Sequence, residues 1–288
     1  MPILGQQTEG YGYPAVNQCI YCGSTTRRLT KEHIIGRGIG GTVTLDKASC
    51  SAALGVKSAK HCSEITRDIE QFCFRSMLGH FRHYIDLPVS QPRSKLPLTI
   101  IHSDGVMEVK DVDINDHIGM MSVPIFDKPG LLTGRLYEAL VDTWTFIPNK
   151  EPFSGYPEKT RLGRNKFHAR TYAKMLAKIA HSFAVAQFGI DAFEEMFLPS
   201  LILDKKDQVP CDRYVGCLER NPAPETSLHN VGLGQAKLDT GQEFIMAKVR
   251  LFCMIGAPQY HVMVGRLKPS ARNAIPLLEE QTLAYALK

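Results

Sequence analysis

Tryptophan occurs once in this 288-residue chain, and acidic residues are missing from the whole interval between Lys159 and Lys178. No apolar run approaches the roughly 18 to 20 residues that a membrane helix needs, so no membrane partner is expected. The opening MPILGQQTEGYGYP lacks the basic-then-apolar layout of a secretory signal, which leads to the expectation of a cytoplasmic protein. Repeats and low-complexity runs are absent too, which excludes solenoids and arrays. What is present is ordinary for a globular chain: 44% hydrophobic and 22% charged residues can bury a core. The net charge of +5 permits a polyanionic partner without indicating one.

Eight cysteines are unevenly placed, four of them before residue 63. Without an export signal they should stay thiols, so a closely spaced pair reads as a metal clip rather than a disulfide. Cys19 and Cys22, in CIYCG, enclose two residues. That short bite lets both thiolates reach one zinc at about 2.3 Å while the glycine frees the turn. Cys50 and Cys62 are the candidates for a second pair, although the insert between them is longer than a zinc knuckle usually has. Loop-closure entropy grows only logarithmically with length, so the insert costs little. His61, beside Cys62, is an alternative ligand. The polar segment from Gln18 to Cys62, with six glycines at 23, 36, 38, 40, 41 and 55, needs such a staple because it has little apolar surface to bury.

Downstream, Ile65, Ile69, Phe72, Cys73, Met77 and Phe81 recur at helical spacing, predicting an amphipathic helix to about Tyr84. The proline-rich stretch from Asp86 to Pro97 reads as a linker. Two short strands should flank Asp104-Gly105. Helices are expected over 131–148 and, more firmly, over Arg161–Gln187 with Gly189 as its stop. EFIMAKVRLFCMI and YHVMVGRL read as a hairpin near the end.

CIYC, LTKEHIIGRGIGG, LDKASC and the helix after them together resemble the HNH endonucleases, the ββα-metal nucleases, in the subgroup with a cysteine zinc staple. The resemblance covers about residues 17 to 85. It implies an α+β protein whose N-terminal zinc-stapled ββα-metal module is followed by a mixed α+β C-terminal domain. The expected boundaries are 1–90 for the module, 91–130 for the linker and hairpin, and 131–288 for a helical, then β-rich, C-terminal domain. It also implies metal-dependent endonuclease activity on DNA, with RNA as an alternative substrate. Structural Zn²⁺ would sit on Cys19, Cys22, Cys50 and Cys62. His33 would activate water, and Glu32 would hold a catalytic Mg²⁺ or Mn²⁺ with a helix residue, Ser63 by position and Glu64 or Thr66 as substitutes. Imidazole and carboxylate suit these tasks chemically. Adjacent strand residues face opposite ways, so both serve one site only if the backbone bends there. The glycines after Ile35 would ease that bend and the approach of a phosphate backbone.

Three positions depart from the family pattern. Gly36 stands where a proline often follows the two isoleucines. The asparagine that braces the histidine has no clear equivalent, Asp46 or Thr44 being the nearest substitutes. Ser63 stands where His or Asn is usual. For phosphate contacts the chain offers Arg67 on the first helix and a stripe spaced by four, Lys166, Arg170, Lys174 and Lys178, which reads either as a solvated face or as a phosphate-binding one. The C-terminal domain could mediate homodimerisation or bind a regulatory partner. A non-catalytic zinc-containing nucleic-acid-binding or regulatory protein is the alternative to an enzyme.

Overall fold

The computed structural model describes residues 11–52, 60–77, 94–113, 116–117, 121–134, 140–147, 161–162, 168–238, 241–271 and 282–286. The chain is mixed α+β. Near the N-terminus a three-stranded sheet is built from β1 (Gly12–Tyr13), β2 (Leu29–His33) and β3 (Thr44–Cys50), with β3 in the middle. β2 and β3 are antiparallel, pairing His33 with Thr44, Glu32 with Leu45 and Leu29 with Cys50. A bulge interrupts the register at Lys47, whose φ of 44° puts it in the left-handed region. The helix α1 (Cys62–Met77) follows. Its start is capped by the Glu64 carboxylate, which accepts the His61 backbone N–H at 3.2 Å, one half of a capping box. Phe81 and Tyr84, where the sequence also predicts helix, lie outside the described residues.

The expected hairpin forms from β4 (Lys95–Ile101) and β5 (Met107–Asp113), with Gly105 at φ 85° in the turn. The helix expected over 131–148 does not form. Among the described residues there only α2 (Gly130–Thr133) is helical, and β7 (Leu140–Phe146) pairs antiparallel with β6 (Met121–Phe126). Val141, Thr143, Trp144, Thr145 and Phe146 are β-branched or aromatic, and a partner strand satisfies their preference for extended backbone. The next expected helix begins later than the sequence suggests. Arg161–Leu162 form β8, paired with β4, and α3 runs from Ala169 to Phe188.

Every residue of α3 from Tyr172 to Val185 is buried. A helix covered on all sides belongs in the middle of a structure, and α3 packs against α1 on one side and the C-terminal sheet on the other. That sheet has six strands: β9 (Phe193–Met196), β10 (Val215–Glu219), β11 (Ser227–Lys237), β12 (Glu243–Leu251), β13 (Gln259–Leu267) and β14 (Thr282–Ala286). The helix α4 (Leu198–Leu203) follows β9. β12 and β13 are the expected hairpin; the other four strands carry weaker sequence signals. One continuous core runs from Tyr13 and Ile34 through Leu176 and Phe183 to Val262 and Leu267. The N-terminal sheet and the C-terminal sheet therefore share an interior built on α3. No helix among the described residues is long and apolar enough to cross a membrane.

Candidate metal centre and the acid-histidine strand

Cys19, Cys22, Cys50 and Cys62 come together as the sequence predicts, with all four sulfurs within 4.8 Å of one another. Cys22 Sγ and Cys50 Sγ are 3.7 Å apart. A tetrahedron with zinc–sulfur bonds of about 2.3 Å has edges of about 3.8 Å, so the donor set has the size and chemistry of a structural zinc site. The long insert before Cys62 is accommodated because Cys62 opens α1, and the helix carries its sulfur back to the end of β3. The knuckle turn is closed by Gly23 N–H donating to the Cys19 carbonyl at 2.8 Å, with Gly23 at φ 73°. His61 is not in the sulfur cluster.

The electrostatics also call for a cation. A hydrogen bond with Cys62 pulls the Cys19 thiol well below the ordinary thiol value, and the same bond pushes Cys62 far above it. Burial raises Cys22. The first thiolate thus opposes ionisation of its neighbours, and four thiolates need positive charge at their centre. Arg27 supplies some from outside, its Nη1 being 3.9 Å from Cys50 Sγ.

β2 remains extended through His33, so Glu32 and His33 face opposite ways. The chain bends at Ile34 and Ile35, directly after the strand, and then enters a 3-10 turn over Arg37–Ile39. Glu32 turns inward and is 5% exposed. Its Oε1 lies 2.8 Å from Lys178 Nζ, and Glu70 Oε1 lies 2.7 Å from the same ammonium. Lys178 also donates to the carbonyl oxygens of His33 and Ile34. Burial opposes the charge on Lys178, but the two carboxylates overcome it and raise its pKa above the ordinary lysine value. The buried Tyr21 ring sits beside Glu32 and Glu70, and its pKa is raised well above normal by burial and by those charges.

His33 lies on the other face of β2 and is half-buried, opposite Thr44 rather than Asp46. Burial lowers its pKa, the Lys178 cation adds to the effect against the opposing pull of Glu70, and Arg37 and Lys31 lower it further. The imidazole is therefore neutral at pH 7. Lys31 and Arg37 are exposed.

The glycines after Ile35 serve the protein's own backbone. Gly40 ends the 3-10 turn at φ 90°, and a Cβ on Gly41 would lie 2.0 Å from the Ile35 carbonyl oxygen. No protein family, curated protein or solved structure matches the chain. Its functional reading therefore rests on the geometry of these residues.

Several expected site residues are placed elsewhere. Ser63 sits half-buried on the first turn of α1, where its carbonyl accepts the Thr66 hydroxyl. Glu64 is engaged in the cap, and Thr66 is buried. The residue α1 contributes beside Glu32 is Glu70, two turns further on. Glu32 and Glu70 offer hard oxygens, but an ammonium already stands between them. Glu32 with Ser63 therefore does not fit Mg²⁺ or Mn²⁺ in this arrangement. Among the described residues the four cysteines are the only cluster of three or more metal-ligating side chains.

The basic stripe on α3 is turned inward. Arg170 donates to the Val209 carbonyl at 2.7 Å, Lys174 to the Asp204 carbonyl and the Asp207 carboxylate at 2.6 Å each, and Lys178 to the group described above. Neither a solvated face nor a phosphate-binding one describes these three. The reason is that α3 is buried all round, so its long cationic side chains reach for carbonyl and carboxylate oxygens. Lys166 lies outside the described residues, and Arg67 is exposed on α1. A lysine set within the apolar run Leu176 to Ala180 was the available signal that acids must converge on it.

Besides Lys178, two histidines of the C-terminal half hold carbonyls of the N-terminal strands and turns. His181 Nε2 lies 2.8 Å from the Ile20 oxygen in the knuckle, and His229 Nε2 lies 2.7 Å from the Ile39 oxygen in the glycine turn. His229 Nδ1 accepts the Phe252 N–H at 3.0 Å, which assigns the proton to Nε2 and keeps the ring neutral. Burial holds its pKa down to about 4. The unfolded chain, with an ordinary value near 6.5, binds the extra proton first. This contribution is fully present above about pH 6.5 and is lost as pH falls toward 4. The stability difference between wild type and His229→Gln should shrink by about 1 kcal/mol from pH 7.5 to pH 5.5. Urea unfolding at the two pH values checks this, and an unchanged difference contradicts it.

Proposed function

We propose that this protein is an endonuclease that hydrolyses phosphodiester bonds in DNA, with His33 as the base that activates water. The observation that carries the reading is the placement of His33: a half-buried imidazole, its neutral form favoured by burial, at the end of a strand anchored beside the cysteine cluster and flanked by the exposed cations Lys31 and Arg37. His33 takes a proton from water as its oxygen attacks phosphorus, the bond to the leaving sugar oxygen breaks, and that oxygen takes its proton from solvent. Lys31 and Arg37 meet the charge on the phosphate, and Arg67 extends the cationic surface. Thr44, across the strands from His33, takes the bracing position. The structural zinc keeps β2, β3 and α1 in register and touches no substrate.

A nicking assay on supercoiled plasmid tests the reading, with linear DNA and RNA as further substrates and with Mg²⁺ or Mn²⁺ added or withheld. His33→Ala should lose roughly 10²- to 10⁴-fold in rate with its zinc content unchanged. A variant that cleaves like wild type ends this mechanism. A second reading, a non-catalytic zinc-containing nucleic-acid-binding or regulatory protein, is favoured by the pairing of Glu32 with Lys178. It predicts retention on DNA at low salt and no cleavage under any metal.

A further inference from the structure

The geometry points to a cation site formed by Glu32, Glu70 and the carbonyls of His33 and Ile34, which the C-terminal half of the chain fills with its own Lys178 ammonium. Four oxygens surround Lys178 Nζ: two carboxylate oxygens at 2.8 and 2.7 Å, the Ile34 carbonyl at 3.3 Å and the His33 carbonyl. All are hard donors of the kind that bind magnesium, manganese or an ammonium alike. Lys178 is 1% exposed, so the charge is sealed in rather than sampled from solvent.

A divalent ion and the ammonium cannot share this place. Each would sit within bonding distance of the same carboxylates, and two like charges that close repel strongly away from water. Glu32 comes from β2, between the two cysteine pairs, and Glu70 from α1, beyond Cys62, while the lysine comes from the middle of α3. The positive charge is thus a permanent part of the packing between the two halves, and the same contact pins the carbonyl of His33. It follows that divalent ions do not enter between Glu32 and Glu70 in the intact protein, and that removing the ammonium opens a site for one.

The test is Mn²⁺ binding to the full-length, zinc-loaded protein, read from the paramagnetic resonance signal of free Mn²⁺ in the absence of DNA. Wild type should show no binding that Glu70→Gln weakens. Lys178→Met should gain about one Mn²⁺ per chain, with at least tenfold tighter binding than wild type, and Lys178→Met combined with Glu70→Gln should lose it. Wild-type binding of one Mn²⁺ that Glu70→Gln weakens tenfold overturns the inference, as does a folded Lys178→Met protein that gains none. If Lys178→Met does not fold, the comparison of wild type with Glu70→Gln decides alone. Because no cleavage is scored, an inactive His33 would end the nuclease reading and leave this result standing.

Discussion

Chelating the metal that the four cysteines are placed to hold, or replacing Cys19 with serine, is expected to unfold the segment that carries His33. Zinc bound by four thiolates contributes on the order of 10 kcal/mol or more in small zinc-folded units. Beyond the metal, the segment is held by the shared core and by the Lys178, His181 and His229 contacts to its carbonyls, and these form only when its turns are closed. Its strands are short, its turns depend on Gly23, Gly40 and Gly41, and its buried isoleucines at 20, 34, 35 and 39 pack only if the turns close. Elemental analysis should find about one zinc per chain. Circular dichroism and thermal melting should then show a large loss in Cys19→Ser and in chelated wild type. The damage should spread, because α1 and the 3-10 turn form one side of the core around α3. Metal-free protein that melts like the zinc-loaded form would remove the staple from the account.

The second large effect belongs to Lys178. Its removal leaves Glu32 and Glu70 as buried carboxylates without their counter-charge. Breaking a buried ion pair by deleting one partner costs about 3 to 5 kcal/mol, which for a chain of this size lowers the melting temperature by roughly 10 °C. Most of that cost is the unpaired charge, not the lost contact. Lys178→Met should therefore be rescued largely by Glu32→Gln and Glu70→Gln together, since neutral amides tolerate burial better than carboxylates. Melting curves of the single and triple variants check this in the presence of a chelator too weak to remove the zinc. A triple variant no more stable than Lys178→Met would show that the lysine stem, and not its charge, was holding the packing.

Local chemistry was readable and long-range pairing was not. The cysteine cluster could be read because C-x-x-C is a bite two residues wide, and the other two sulfurs lie at a strand end and a helix start. The hairpins at Asp104-Gly105 and before Gln259 could be read because turn residues act over a few positions. The helix over 131–148 failed because a β-rich stretch had its partner strand some twenty residues upstream. The stripe on α3 failed for a related reason. Spacing by four states that Arg170, Lys174 and Lys178 share a helix face, but it does not state what that face meets.

The sequence by itself determined the donors: four thiols spaced for one metal, an imidazole beside an acid, and glycines where the chain must turn. Only the tertiary structure decided how those donors are used. It turned Glu32 inward onto Lys178 and left His33 outward between Lys31 and Arg37. It brought Glu70, unmarked in the sequence, to the same ammonium, and spent Gly41 on the approach of the Ile35 carbonyl. The physical reason is strand geometry combined with burial. Adjacent residues on an extended strand must part to opposite faces, and a buried charge must find its counter-charge wherever in the chain it lies.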